Sequence, residues 1–201
     1  MSGYFITFEG IDGSGKTTIA SRIAKKIENS VLTYEPTNSW IGESVKKAIE
    51  EGRDAITVAL LFMADRNEHI SKIKNWINEG KIVLCDRYLD STYAYQKEAL
   101  KGIVENPEKW IEEVQKPFIL KPDLTLLFIL PVEEALERIA DRKKIIYEEK
   151  SFLEKVQENY MELAKKEKRI VMIDASRSIE EVEKDCIDAI SKFLSLRRAL
   201  E

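Results

Sequence analysis

The chain has 201 residues, of which 44% are hydrophobic and 34% are charged, a globular composition that excludes a disordered chain or a fibre. Its net charge of -4 argues against general nucleic-acid binding, because that affinity comes from neutralising phosphates. No apolar run reaches the roughly 18 residues of a membrane span, and Cys85 and Cys186 are too few for a disulfide framework. We therefore expect a cytoplasmic protein without membrane or nucleic-acid partners.

Short apolar segments alternate along the chain with segments of helical periodicity. The predicted strands cover residues 4–9, 31–34, 81–85, 124–130 and 169–173. The predicted helices cover residues 17–27, 39–51, 55–78, 107–114 and 132–142. Asn106 and Pro107 form a typical helix start, and two further helices begin at Ser151 and Ser178, each with a capping-box glutamate three residues later.

This alternation is typical of an α/β fold in which helices cover both faces of a parallel sheet. No repeat or low-complexity linker interrupts it, so we predict a five-stranded parallel sheet in a single domain over residues 1–201. Ligands of such sheets bind at the carboxyl ends of the strands. Function is therefore expected in the loops that follow Glu9, Tyr34, Cys85, Leu130 and Ile173.

The first of these loops matches a phosphate-binding sequence. Residues 10–17 read GIDGSGKT and fit G-x-x-x-x-G-K-[ST] at every fixed position, between a predicted strand and a predicted helix. The glycines let backbone N–H groups wrap a phosphate, Lys16 reaches the β- and γ-phosphates, and the Thr17 hydroxyl ligates Mg²⁺. The residues predicted to contact a nucleoside triphosphate are Gly10, Ile11, Asp12, Gly13, Ser14, Gly15, Lys16, Thr17 and Thr18.

The phosphate loop alone does not say what happens to the nucleotide. A GTPase needs an Asn-Lys-x-Asp base-reading sequence, and the nearest stretch, Leu120-Lys121-Pro122-Asp123, lacks the asparagine. Two classes remain, a small kinase and a regulatory protein that only senses ATP. A kinase needs a second pocket that holds an acceptor in line with the γ-phosphate.

Two pairs of residues supply candidates for that second pocket. Asp86 and Arg87 follow the third strand, where the carboxylate can orient Mg²⁺ and the guanidinium can clamp an acceptor phosphate. Phe62 and Arg66 lie one helical turn apart, so they can stack on a planar base and bind its edge. The alternatives are a surface ion pair for the first two residues and a core position for Phe62.

Five segments of the chain, in order and spacing, resemble the thymidylate kinase family, and they read FEGIDGSGKTT, YEPT, ALLFMADRNEH, CDRYLDSTYAYQ and MIDAS. The resemblance covers nearly the whole chain. It implies a P-loop NTPase fold with a short lid at about residues 142–150, transfer of the γ-phosphate of Mg-ATP to dTMP, and a homodimer. The alternatives are a related nucleotide or deoxynucleoside kinase and a non-catalytic ATP sensor.

The resemblance also implies roles for matching residues. Asp12 places the acceptor sugar, Arg87 bridges the two substrates' phosphates, and Thr17 and Asp86 lie at the metal. The residues implied to bind dTMP are Asp12, Glu35, Pro36, Phe62, Arg66, Arg87, Ser91, Thr92, Tyr95 and Gln96. The residues implied to lie beside the adenine are Asp174, Ala175 and Ser176. The implied catalytic residues are Asp12, Lys16, Asp86 and Arg87.

The sequence departs from the family pattern in two respects. Family members place an arginine over the transferring phosphate, either in the phosphate loop, where this chain has Gly13, or in the lid, where it has Ile146. The possible substitutes are Arg138, Arg142, Lys143 and Lys144, and we predict that Arg142 is the catalytic one. The second departure is Tyr34, which stands at the arginine position of an Arg-Glu-Pro sequence.

Overall fold

The computed structural model of the protein describes residues 3–140 and 149–199. Within these residues a parallel sheet has the strand order β2-β3-β1-β4-β5. The strands are β1 (Tyr4–Gly10), β2 (Ser30–Tyr34), β3 (Ile82–Asp86), β4 (Leu124–Ile129) and β5 (Ile170–Asp174). The predicted five-stranded parallel sheet is confirmed, and each predicted strand lies within about one residue of the observed one.

Helices cover both faces of the sheet. They are α1 (Lys16–Ala24), α2 (Trp40–Glu50), α3 (Ala55–Asn78), α4 (residues 89–99), α5 (Pro107–Gln115), α6 (Val132–Arg138), α7 (Lys150–Lys166) and α8 (Ile179–Arg198). Ile6 and Phe8 of β1 pack with α1 and α8, whereas Phe5 faces the opposite way and packs with α3. No helix in the described part of the chain is long and apolar enough to cross a bilayer.

The strand register brings three loops together at one edge of the sheet. Phe8 of β1 pairs with Asp86 of β3, and Asp86 also pairs with Tyr34 of β2. The phosphate loop, the segment from Asp86 and the Glu35–Pro36 loop therefore leave the sheet side by side. This is the arrangement that places ligands at the carboxyl ends of parallel strands.

Two predicted helices differ from the observed ones at their ends. The helix predicted over residues 132–142 ends at Arg138, because Ile139 leaves helical geometry (φ -115°) and its side chain is buried. The capping box predicted at Ser151 is wrong, since α7 begins one residue earlier at Lys150 and Ser151 lies inside its first turn. The capping box at Ser178 is confirmed.

Helix α4 was not predicted from the sequence. It runs directly from the Asp86–Arg87 segment, and its middle part, Thr92–Gln96, is a π-helix turn. The segment lacks a long apolar repeat, so its helical form depends on burial of residues such as Ala94 and Tyr95 in the core. Single π-helix turns are frequent at functional sites, and this one carries residues implied to bind the acceptor.

Candidate active site

The phosphate loop has the backbone conformation that its glycines allow. Gly10, Gly13 and Gly15 all have φ values between 81° and 141°, which disfavour residues with a side chain. A Cβ on Gly13 would lie 2.1 Å from the Ala135 carbonyl oxygen. This backbone therefore has no room at position 13 for the arginine that some family members carry in the loop.

Lys16 begins α1 and folds back over the phosphate loop. Its Nζ donates hydrogen bonds to the Ile11 carbonyl (2.7 Å) and to Ser14 Oγ (3.1 Å). Burial and the charge of Arg87 lower the pKa of Lys16 from 10.5 to about 8. An anion bound in the loop would stabilise the charged amine, because an opposite charge favours the protonated form.

Thr17 and Asp86 form the pair that could hold a metal ion. Thr17 Oγ1 donates to Asp86 Oδ2 at 2.5 Å, which links the start of α1 to the end of β3. The other carboxylate oxygen, Asp86 Oδ1, is buried and has no hydrogen-bond partner among the described residues. A hydroxyl and a carboxylate with a spare oxygen fit Mg²⁺, which takes few protein ligands and keeps phosphate oxygens and waters.

Arg87 connects the phosphate loop with the acceptor side. Its Nη2 donates to Asp12 Oδ1 (2.7 Å), and its Nη1 donates to the Gly10 carbonyl (3.1 Å) and to Ser91 Oγ (3.2 Å). Its guanidinium also lies over the Tyr95 ring, 5.1 Å from the centroid. The guanidinium is therefore fixed where two phosphate groups could meet.

Asp12 is held as a carboxylate by these contacts. Burial alone would raise its pKa, but the charges of Arg87 and Lys16 lower it from 3.8 to about 2. Tyr95 completes the cluster, because its hydroxyl donates to Asp12 Oδ2 (3.1 Å) and accepts from the Asp12 backbone N–H (3.2 Å). Asp12, Arg87 and Tyr95 thus form a hydrogen-bonded cluster on the acceptor side of the loop.

A cavity of about 820 Å³ opens beside Arg87, between α2, α3 and α4. All ten residues implied to bind dTMP line it, so the structure brings the whole predicted acceptor set together. The sequence pattern gives no sign of the side of the cavity that α2 and the two residues after it supply. The lining residues that it did not predict are Lys46, Ile49, Glu50, Glu51, Gly52 and Tyr88.

Arg66 lies at the buried end of this cavity with three hydrogen-bond partners. It donates to Glu35 Oε2 (2.6 Å), Thr92 Oγ1 (2.8 Å) and Gln115 Oε1 (2.7 Å). His69 fixes the other oxygen of Glu35, with Nδ1 3.0 Å from Oε1. These contacts hold the guanidinium in one place, and its remaining N–H groups can still bind the edge of a base.

The loop after β2 is anchored by Asp65 of α3. Its carboxylate accepts from the backbone N–H of Thr37 (2.7 Å), from Thr37 Oγ1 (2.6 Å) and from Ser39 Oγ (2.9 Å). These bonds hold Glu35 against Arg66. The side chain of Tyr34 is 42% exposed and does not line the cavity, so the departure at this position lies outside the acceptor pocket.

Several residues that the sequence suggests for the adenine site and the lid lie outside the acceptor cavity or outside the described residues. Ser176 donates from its N–H (3.1 Å) and its Oγ (2.6 Å) to Asp174 Oδ1 after β5, and Arg138 donates to the Ala175 carbonyl (3.1 Å). None of these residues lines the acceptor cavity. Gln96 does, and its Oε1 is buried without a partner in the described ranges. The predicted lid residues Arg142, Lys143, Lys144 and Ile146 lie outside the described residues.

The chain matches the family model for thymidylate kinase over residues 8–186. A probable thymidylate kinase of Methanococcoides burtonii is 45% identical over 199 residues, covering 96% of this chain and 99% of the relative. A probable thymidylate kinase of Methanocaldococcus jannaschii is 44% identical over 190 residues, covering 93% and 95%. The solved structure of thymidylate kinase from Candida albicans superposes with a TM-score of 0.81 at 28% identity, covering 95% of this chain and 92% of that one. The chain belongs to the thymidylate kinase family.

Proposed function

We propose that this protein transfers the γ-phosphate of ATP to dTMP, giving dTDP and ADP. The observation that carries the proposal is the position of Arg87, whose guanidinium contacts Gly10 of the phosphate loop and Asp12 at the acceptor cavity. One cation can thus touch the donor and the acceptor phosphates at once. Membership of the family supports the choice of dTMP and ATP as substrates.

The donor binds in the phosphate loop, where N–H groups, the start of α1 and Lys16 surround the β- and γ-phosphates. Asp174, Ala175 and Ser176 lie beside the adenine. An oxygen of the dTMP phosphate attacks the γ-phosphorus, and the bond from that phosphorus to the β-phosphate oxygen breaks, which releases ADP. The protein contributes position and positive charge to this step.

The acceptor binds in the cavity between α2, α3 and α4. Phe62 stacks on the thymine, and Arg66 binds its edge together with Thr92 and Gln96. Asp12 and Tyr95 lie at the sugar, where the ring of Tyr95 leaves no room for a 2′-hydroxyl, and Arg87 binds the phosphate next to Ser91. Glu35 and Pro36 complete the lining of the cavity.

The residues that would hold the Mg²⁺ ion of the reaction are Thr17 and Asp86. When bound, Mg²⁺ neutralises negative charge that develops on the phosphates. Asp86 supports this assignment with its buried oxygen that lacks a partner in the described part of the chain.

The lid over residues 142–150 supplies the last positive charge, through Arg142. We expect the Arg142→Ala variant to lose about 10³-fold or more in kcat, because an arginine over the transferring phosphate contributes about 10³–10⁵ in related reactions. KM for ATP should change little. Steady-state kinetics check this, and an unchanged kcat would show that another residue stabilises the transferred phosphate.

The chain forms one domain and acts as a cytoplasmic homodimer. The free thiols of Cys85 and Cys186 support a reducing compartment. On α3, Val58 and Ala59 are buried in the core, whereas Leu60 on the opposite side is 44% exposed and available to a second copy. Light scattering coupled to gel filtration tests the assembly, and a monomer at micromolar concentration would contradict it.

A coupled ADP-release assay with Mg-ATP tests the proposed function. The acceptors compared are dTMP, dUMP, the ribose form of TMP, and thymidine. We expect dTMP to be turned over best and thymidine not at all, since Arg87 needs a phosphate to bind. Some turnover of dUMP is expected, because one methyl group in an apolar pocket discriminates by only about 1–3 kcal/mol. Binding of dTMP without ADP release from any acceptor would instead support an ATP sensor.

A further inference from the structure

Glu9 is a buried carboxylate directly beneath the acceptor site. It is the penultimate residue of β1, and its side chain is 0% exposed. Burial and the charge of Asp90 raise its pKa from 4.5 to about 7. A buried acid destabilises a fold relative to an apolar residue unless its oxygens are well bonded. Its presence at the centre of the sheet therefore indicates a task that an apolar side chain cannot perform.

Three donors from separate parts of the chain meet this carboxylate. The backbone N–H of Tyr88 donates to Oε1 at 2.9 Å. The Ser91 hydroxyl donates to Oε2 at 2.5 Å, and the Tyr160 hydroxyl donates to the same oxygen at 3.2 Å. Glu9 thus joins the turn after β3, the start of α4 and helix α7 at one point.

Arg87 immediately precedes Tyr88, the first of these anchored residues, and has a strained backbone. Its φ of 65° is in the left-handed region, which costs free energy for a residue with a side chain. The Arg87 N–H donates to the Phe8 carbonyl (3.0 Å) and the next N–H, that of Tyr88, donates to Glu9. Consecutive residues of β1 therefore hold consecutive N–H groups of this turn.

The same carboxylate also reaches the guanidinium of Arg87 through one hydroxyl. Ser91 Oγ donates its proton to Glu9, so its lone pairs are directed to other groups, and Arg87 Nη1 donates to this oxygen at 3.2 Å. Replacing the carboxylate with an amide would turn one of its two acceptor oxygens into a donor, so either the Tyr88 N–H or the Ser91 hydroxyl would lose its acceptor. Either loss would release one of the two links between Glu9 and Arg87.

We propose that Glu9 is a positioning residue for phosphoryl transfer, which fixes both the backbone and the guanidinium of Arg87 through Tyr88 and Ser91. This role rests on the proposed kinase function, in which Arg87 bridges the donor and acceptor phosphates. Glu9 itself touches neither substrate. It acts by keeping the guanidinium of Arg87 next to the phosphate group that is transferred.

The Glu9→Gln variant tests the proposal, because it should lower kcat without changing the affinity for the nucleoside. We expect kcat with dTMP to fall about 100-fold, since a displacement of about 1 Å at a catalytic group can cost that much. Binding of thymidine, measured by calorimetry, should stay unchanged because the base pocket is intact. The matched control is Glu183→Gln, the same change at a buried acid of α8 that pairs with Arg22 and Lys26, and it should leave kcat unchanged.

A double-mutant cycle separates positioning from a general structural effect. In an Arg87→Ala background the Glu9→Gln change should lower kcat no further, because residues that act through one another are not additive. Additive losses, or an unchanged kcat in Glu9→Gln, would overturn the proposal. If wild-type protein turns over no dTMP, the kinase function itself fails, so the two failures are distinguishable.

A second variant keeps the test decisive if Glu9→Gln does not fold. Ser91→Ala removes the link between Glu9 and the guanidinium while leaving β1 intact. It should lower kcat and show the same non-additivity with Arg87→Ala. Tyr160→Phe removes a hydroxyl that contacts both Glu9 Oε2 (3.2 Å) and Ser91 Oγ (2.8 Å) but leaves the bonds from Tyr88 and Ser91 to Glu9 in place. It should lower kcat less than either change, and an equal loss would overturn the proposal that Glu9 acts through Tyr88 and Ser91.

Discussion

At the scale of single residues, the side chains proposed to bind the base and those proposed to bind the phosphate are held by different contacts. Phe62 lines the cavity on the same helix as Arg66, whose guanidinium is held by Glu35, Thr92 and Gln115. Arg87 is held separately, by Asp12 and the phosphate loop. The two groups lie on different elements, so they can be changed one at a time.

Removing the ring of Phe62 should weaken the binding of dTMP more than it lowers kcat. We expect Phe62→Ala to raise KM for dTMP about 10- to 100-fold, since stacking on a base contributes about 1–3 kcal/mol. KM for ATP should be unchanged. Initial-rate kinetics with both substrates varied check this.

The control for Phe62→Ala is a large-to-small change outside the site. Ile103 is 57% exposed and does not line the cavity, so Ile103→Ala should leave both KM values unchanged. A normal KM for dTMP in Phe62→Ala would mean that the base does not stack there.

At the scale of elements, the ends of helices depend on hydrogen bonds that a sequence pattern suggests but does not guarantee. Ser151 and Ser178 both precede a glutamate by three residues. Only Ser178 caps a helix, with its Oγ 3.4 Å from the Glu181 N–H and 2.6 Å from Glu181 Oε2. Ser151 lies one residue inside α7, because the chain becomes helical at Lys150.

This difference gives a matched pair of substitutions. Ser178→Ala should lower the free energy of unfolding by about 1 kcal/mol, since the first turn of α8 loses a cap. Ser151→Ala should change it by less than about 0.5 kcal/mol, as is usual for surface positions. Urea denaturation measures both, and equal losses would contradict the observed start of α7.

At the scale of the whole molecule, ligands that bind only the folded state stabilise it. At a concentration of 100 times its dissociation constant, dTMP should raise the free energy of unfolding by about 2.7 kcal/mol. Thymidine at the same concentration should stabilise less, because it lacks the phosphate that Arg87 binds. Denaturation curves with each ligand measure the difference.

The Arg87→Ala variant supplies the control for this measurement. With the guanidinium removed, dTMP and thymidine should stabilise the fold by nearly equal amounts. A persistent advantage of dTMP in Arg87→Ala would place the acceptor phosphate on another group.

The five-stranded parallel architecture could be predicted from the amino-acid sequence alone. Apolar runs of strand length, separated by helical periodicity, predict a parallel sheet because each crossover returns the chain to the same edge. The phosphate loop and the residues from Asp86 follow two such strands, so their proximity follows from the topology. The predicted acceptor residues that follow the strands line one cavity for this reason, whereas Phe62 and Arg66 reach it from within α3.

The contacts that hold these residues in place could not be predicted from the sequence. Glu9 binds Ser91 and Tyr160, which lie 82 and 151 positions away along the chain, and Asp65 binds Thr37 from another element. The wall from Lys46 to Gly52 lies at the cavity because α2 packs against α3. Local spacing carries no information on such contacts, since they form only when distant segments fold together and exclude water. The physical reason is that strands and helices are set by neighbouring residues, whereas buried polar groups are set by whichever distant partner satisfies them.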